Sequence, residues 1–299
     1  MDIFKKFTAR AVKLVSGRAS AALFCDYAYA NEMKTPVHPG YGRGSRNRGA
    51  LEMEYAADGP EKVEEKIFKT GNTDPKGVQN IHVWYPASME EGKKYPLLII
   101  SNGMEFSCTS FIAILQHLAS WGFIAAGNDA LNSGSGETAA KTLEEMLSEN
   151  EKQGSLFHDR IDLDHIGGIG YFQGGAGAIR QATISKNKDH YSALYLASPM
   201  TLPFIEKAKA AAWSYDPSQI TVPVFIASGG DGIENGILAP KKDMEGIYQA
   251  AKGPAVIGRM KGEDHLRVMT RADAYMTAWF RMILSGDEKA ASIDRKSVV

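Results

Sequence analysis

Two cysteines in 299 residues, Cys25 and Cys108, are too few for a disulfide framework, and they stand in no metal-ligand or redox spacing. That scarcity points to a reducing, cytoplasmic setting. Long apolar runs are also missing. The longest, such as "YPLLII" at 95–100, is strand-sized, against the roughly 18 to 20 residues that span a bilayer, so no transmembrane segment is expected. The seven histidines include no H-E-x-x-H and no i, i+4 pair, so neither a metal site nor a cofactor is expected. No nucleic-acid partner is expected either, because no recognised module or aromatic-basic platform occurs.

Charge is present but uneven. Residues 1–50 hold nine Lys/Arg against three Asp/Glu, and the remainder holds 25 against 32. Near the start, Ile3, Phe4, Phe7, Ala11, Leu14 and Val15 fall at helical spacing without the continuous apolar stretch of a secretory signal. Residues 1–59 therefore read as a basic N-terminal extension packing on the body. Such an arm could also contact an anionic surface or an acidic partner. Residues 60–299 read as one domain.

That domain alternates strand-like and helix-like segments. "EKVEEKIFKT" and "NIHVWYPAS" form a strand pair, and "YPLLIISNG", "FIAAGNDA", "YSALYLASP", "VPVFIASGG" and "PAVIGRMKG" read as further strands. Three helices are marked by apolar stripes at Phe111, Ile114, Leu115 and Leu118; at Ala139, Leu143, Met146 and Leu147; and at Ala272, Met276, Trp279 and Ile283. Apolar strands interleaved with helices predict an α/β fold with a mostly parallel central sheet covered on both faces.

One stretch carries chemistry: "DHIGGIGYFQGGAGAIRQA", residues 164–182. A strand over Ile166 to Tyr171 runs into a glycine-dense turn and then a helix, the layout of a nucleophile elbow, with "FHDRIDLDH" expected as a solvated loop before it. Gly170 and Gly174 occupy the small-residue places two before and two after the centre, with Gly175 next. The centre itself is Phe172. In such sites the acid and the histidine follow on loops after later strands. Asp231 comes directly after "VPVFIASGG" and His265 lies in "MKGEDHL"; Glu234 is the fallback acid. Two backbone N–H groups aimed at an oxyanion would come from Gln173, at a helix N-terminus, and from Met104 in "SNGMEF".

Together, "YPLLIISNGMEFSCTSF", "LASWGFIAAGND", "NSGSG", "IGGIGYFQGGAGA", "VPVFIASGGD", "GEDH" and "TAWFRMILSGDEKA" resemble the α/β-hydrolase superfamily. The likeness covers about residues 75–290 and is nearest the cutinase, polyester-hydrolase, chlorophyllase and dienelactone-hydrolase branch. It implies the α/β-hydrolase fold without a large cap domain, and carboxylic-ester hydrolysis by a serine, acid and histidine. Members usually read G-H-S-Q-G-G or G-H-S-M-G-G at the elbow, so Tyr171 and Phe172 depart at the histidine and the serine. Met200 stands where polyester hydrolases often carry an aromatic clamp.

Phenylalanine has no lone pair and no ionisable proton, so an acyl-enzyme at residue 172 is chemically excluded. One reading is a catalytically impaired pseudo-hydrolase with a shallow cleft for a small apolar or ester-like ligand or a partner. Its lining would include Phe106, Met200 and Trp213. Another is an active ester hydrolase using Ser107, Cys108, Ser110, Ser228 or a water held by His265. The competing reading of Ser107, Cys108 and Ser110 is that they only cap the following helix and pack below it. A nucleotide-binding reading of "GGIGYFQGGAG" lacks the required glycine spacing and a following acidic residue.

Overall fold

The structure, a computed structural model, describes residues 50–290 apart from 75, 231 and 266. A short helix, α1 (Ala50–Ala56), precedes a strand pair, β1 (Val63–Lys69) and β2 (Asn80–Pro86). Then come β3 (Tyr95–Ser101), α2 (Ile112–Ser120), β4 (Ile124–Asn128), α3 (Glu137–Glu151), β5 (Ile161–Tyr171) and α4 (Gln173–Thr183). The chain continues through β6 (Tyr191–Ala197), α5 (Leu202–Lys207), β7 (Val224–Gly229), α6 (Lys241–Ala250), β8 (Ala255–Met260), α7 (Arg267–Arg271) and α8 (Asp273–Ser285).

The eight strands form one sheet in the order β1-β2-β4-β3-β5-β6-β7-β8. β2 runs antiparallel to both β1 and β4, and every later pairing is parallel. This is an α/β fold with a mostly parallel sheet. Every residue of β4 and β7 is buried, as expected for strands covered on both faces. β1, at one edge, carries Glu64, Glu65, Lys66 and Lys69, charges that discourage pairing with another strand.

The helices bury the expected stripes. Phe111, Ile114, Leu115 and Leu118 are buried, as are Ala139, Leu143 and Met146, while Leu147 is half-buried. In α8, Met276 and Trp279 are buried and Ile283 is only partly covered. The Trp279 indole N–H donates to the Leu194 carbonyl at 3.0 Å, and the Tyr195 hydroxyl donates to that of Ala272 at 3.3 Å, fixing this end of the chain to β6.

Two features extend the sequence expectations. β5 begins at Ile161, so part of the anticipated loop "FHDRIDLDH" is strand. Tyr95 and Pro96 pair with Ile161 and Asp162 before a register shift realigns Leu97 with Ile166. Of the extension, residues 1–49 lie outside the described residues, but α1 packs on α8: Tyr55 and Ala56 bury against Ala274, Ala278 and Ala290. The Tyr55 hydroxyl donates to Asp287 Oδ2 at 3.1 Å. Among the described residues, no helix is long and apolar enough to cross a membrane.

Candidate functional site

The strand-to-helix turn after β5 is built on close backbone approach. A methyl group added to Gly174 would sit 1.9 Å from the Ser101 carbonyl oxygen, and one on Gly170 would sit 2.6 Å from Gly174 O. One on Gly175 would sit 2.5 Å from Pro199 Cβ. No side chain fits at any of the three. Between them Phe172 is held at φ 49°, ψ −110°, a strained conformation for a residue with a Cβ. Its N–H donates to the Ala197 carbonyl at 3.0 Å, and its own carbonyl accepts from Met200 N at 2.8 Å and Gly175 N at 2.9 Å.

The Phe172 ring is 4 % exposed and stands edge-on to His265, with centroids 4.7 Å apart and planes at 86°. Phe204 of α5 also packs edge-on to the ring, with centroids 5.5 Å apart. Tyr171, the second departure, is buried beside the same imidazole at 5.0 Å, and its hydroxyl donates to the His265 carbonyl at 3.3 Å. Its ring also accounts for Gly103, where a Cβ would lie 2.6 Å from Tyr171 Cδ1.

Among the described residues, the carboxylate on His265 is that of Glu234. It lies in a short π-helical turn, Glu234–Leu238, after β7; Asp231 lies outside the described residues. Glu234 Oε2 accepts from His265 Nδ1 at 2.7 Å. Its other oxygen accepts from the Ser198 hydroxyl and, at 3.0 Å, from Gly229 N. The side chain is fully buried. Burial pushes this carboxyl up, but the His265 imidazole, the Ser198 hydroxyl and the Gly229 N–H outweigh it and hold the group below the ordinary glutamate value. An ionised Glu234 only accepts, so Nδ1 carries the proton; in the neutral imidazole Nε2 keeps its lone pair.

Among the described residues, no serine hydroxyl or cysteine thiol lies within hydrogen-bond reach of that imidazole. Ser107 Oγ instead pairs with Thr109 Oγ1 at 2.6 Å, ahead of the short helical turn Cys108–Phe111. The Cys108 thiol is buried and pushed well above its ordinary value by that burial, which suits packing rather than nucleophilic chemistry. Ser110 is buried in the same turn. Ser228 Oγ, on β7, is fully buried with no hydrogen-bond partner among the described residues.

The structure brings the two expected oxyanion segments together: the first turn of α4 presses on the backbone of Ser101 and Asn102, just before Met104. Gln173 is fully buried. Its Oε1 accepts from Ser133 N at 3.2 Å, while its Nε2 has no partner among the described residues. Met200 is buried, bonded through its N–H to the elbow and through its carbonyl to the Tyr215 hydroxyl at 2.9 Å. Phe106 is half-buried against Phe111 and Tyr171. Trp213 lies over Gly134 and beside Gln173, because a Cβ on Gly134 would meet both side chains within 2.9 Å. Ser198 and Phe204 carried no motif signal; their roles come from contacts between separate strands and loops.

A separate cleft of about 620 Å³ opens at the start of β3 and β5, lined by Tyr95, Trp121, His165 and Arg281 among others. It lies a strand length from Phe172. No group of three or more His, Cys, Asp or Glu side chains among the described residues is placed to hold a metal ion. No protein-family model matches the chain, and no curated protein matches it.

Proposed function

We propose that this chain is a serine-esterase-like α/β hydrolase that has lost its nucleophile. On this reading it is a pseudo-hydrolase that binds a small apolar or ester-like ligand, or a partner, beside Phe172. The observation that carries the reading is Phe172 in the strained elbow, its ring packed edge-on to His265. The strand order and the loops bearing Phe172, Glu234 and His265 support the hydrolase likeness. In a working site the residue at the elbow centre gives its proton to the imidazole as it attacks a carbonyl, and the acid steadies the imidazolium. A phenyl ring supplies neither proton nor lone pair, and loss of such a nucleophile typically lowers turnover by about 10⁶. Phe172, Phe204 and Met200 offer an apolar lining, with Phe106 and Met104 nearer the surface.

The test is hydrolysis of short-chain p-nitrophenyl esters by the parent, Phe172→Ser and His265→Ala proteins. A silent parent and a gain of turnover in Phe172→Ser, abolished by adding His265→Ala, is the expected result. Turnover by the parent that disappears in His265→Ala would overturn the reading and point to water activated by the imidazole.

A further inference from the structure

The Glu234–His265 pair is held by a residue that no sequence motif marks. Ser198 follows the last residue of β6, is fully buried, and sits at φ 44°, in the left-handed region that side chains other than glycine seldom adopt. Its N–H donates to the Ala227 carbonyl at 2.7 Å, and Pro199 beyond it packs on the first turn of α4 at Gly175. With its backbone held there, its hydroxyl reaches the Glu234 carboxylate.

That placement has a mechanical consequence. The terminal torsion of a glutamate is broad and close to two-fold, so one hydrogen bond to an imidazole does not fix the plane of the carboxylate. Here Oε1 accepts from Ser198 and Gly229, two donors on neighbouring strand ends, which leaves Oε2 directed at His265 Nδ1. The same turn also grips the elbow. Ala197 accepts from Phe172 N–H and Met200 donates to the Phe172 carbonyl, so residues 197–200 tie the centre of the elbow to the carboxylate that orients the histidine. Strain kept at a buried polar residue in contact with a site is a mark of a positioning role.

We infer that Ser198 is a positioning residue, whose hydroxyl locks the Glu234 carboxylate so that His265 presents Nε2 to the elbow centre. The inference rests on the acid-base reading of Glu234 and His265 given above, but its test does not depend on turnover.

The test is the downfield proton resonance of His265 Nδ1–H in the parent protein, assigned by its absence in His265→Ala and followed in Ser198→Ala and Ser198→Gly. Glycine also relieves the positive φ, so a folded protein without the hydroxyl is obtained even if alanine is poorly tolerated. The expected result is an upfield shift or loss of the resonance in both variants. In the Phe172→Ser background, the same changes lower kcat by roughly 10- to 100-fold with KM little altered, the scale of one charge-assisted hydrogen bond. An unmoved resonance in Ser198→Gly overturns the inference, as does a parent spectrum without the resonance. If Phe172→Ser is silent while the resonance responds to Ser198, the hydrolase reading fails and the positioning role stands.

Discussion

Replacing Phe172 by alanine and by glycine separates two effects that share one residue. Both changes remove a ring that is 4 % exposed and packed on His265 and Phe204, a loss of about 3 to 5 kcal/mol for a buried phenylalanine. They differ in the backbone. At an ordinary position glycine is less stable than alanine by roughly 0.5 to 1 kcal/mol, through the entropy of the unfolded chain. At φ 49°, ψ −110° the β-carbon of alanine keeps a strain of about 1 to 3 kcal/mol that glycine does not have. The order therefore inverts: Phe172→Gly is expected to be more stable than Phe172→Ala by roughly 1 kcal/mol, with both below the parent. Urea unfolding followed by tryptophan fluorescence reads this as a higher midpoint for glycine at a common slope. Alanine equal to or above glycine would refute both the strained elbow and the claim that Phe172 occupies a nucleophile's backbone position.

Glu234 gives a pH signature. Its folded carboxyl lies below the ordinary value of 4.5, so its contribution to stability is complete above that pH and is lost as pH falls through the depressed folded value. Glu234→Gln should be less stable than the parent at neutral pH and show a flatter acid limb in stability measured from pH 6 to 2. Gly174→Ala should yield no soluble native protein, since its methyl group meets a backbone oxygen at 1.9 Å. Gly246→Ala, in the middle of α6 with open space around it, should gain about 0.5 to 1 kcal/mol in urea unfolding. Cys108 should resist a thiol reagent such as DTNB in the native protein and react once urea unfolds it, because it is buried and its thiol is pushed up. Rapid native labelling confined to Cys108 would contradict its packing.

Much of the fold was legible because its strands are apolar on both faces and its helices carry one apolar stripe; those periods survive in the sequence. The elbow was legible for a steric reason, since Gly170, Gly174 and Gly175 stand where no side chain fits. The start of β5 was not. Its first residues include Asp162, Asp164 and His165, polar because this end of the strand reaches past the core, and its pairing there breaks at a register shift. The sequence favoured Asp231 as the acid, with Glu234 as the fallback, and Asp231 lies outside the described residues. What singles out Glu234 in the fold is a pair of donors: Gly229, five residues before it at the end of β7, and Ser198, beyond the end of β6, which nothing in "GGDGIEN" encodes. Phe204 likewise reaches Phe172 from α5, some thirty residues away.

The docking of α1 gives the molecule two poles. Gly59 N–H donates to Ser120 Oγ at 2.8 Å and the Trp121 indole N–H to the Ala57 carbonyl at 3.0 Å, while Pro60 and Glu61 border the cleft at the start of β3 and β5. The segment after α1 thus docks at the pole where the parallel strands begin, and Phe172 stands at the pole where they end. Seven residues of strand at about 3.3 Å each set these poles roughly 20 Å or more apart. Labels on Ala50 and on a residue near Met104 would form a ruler along the sheet, one that reports release of α1 without disturbing His265.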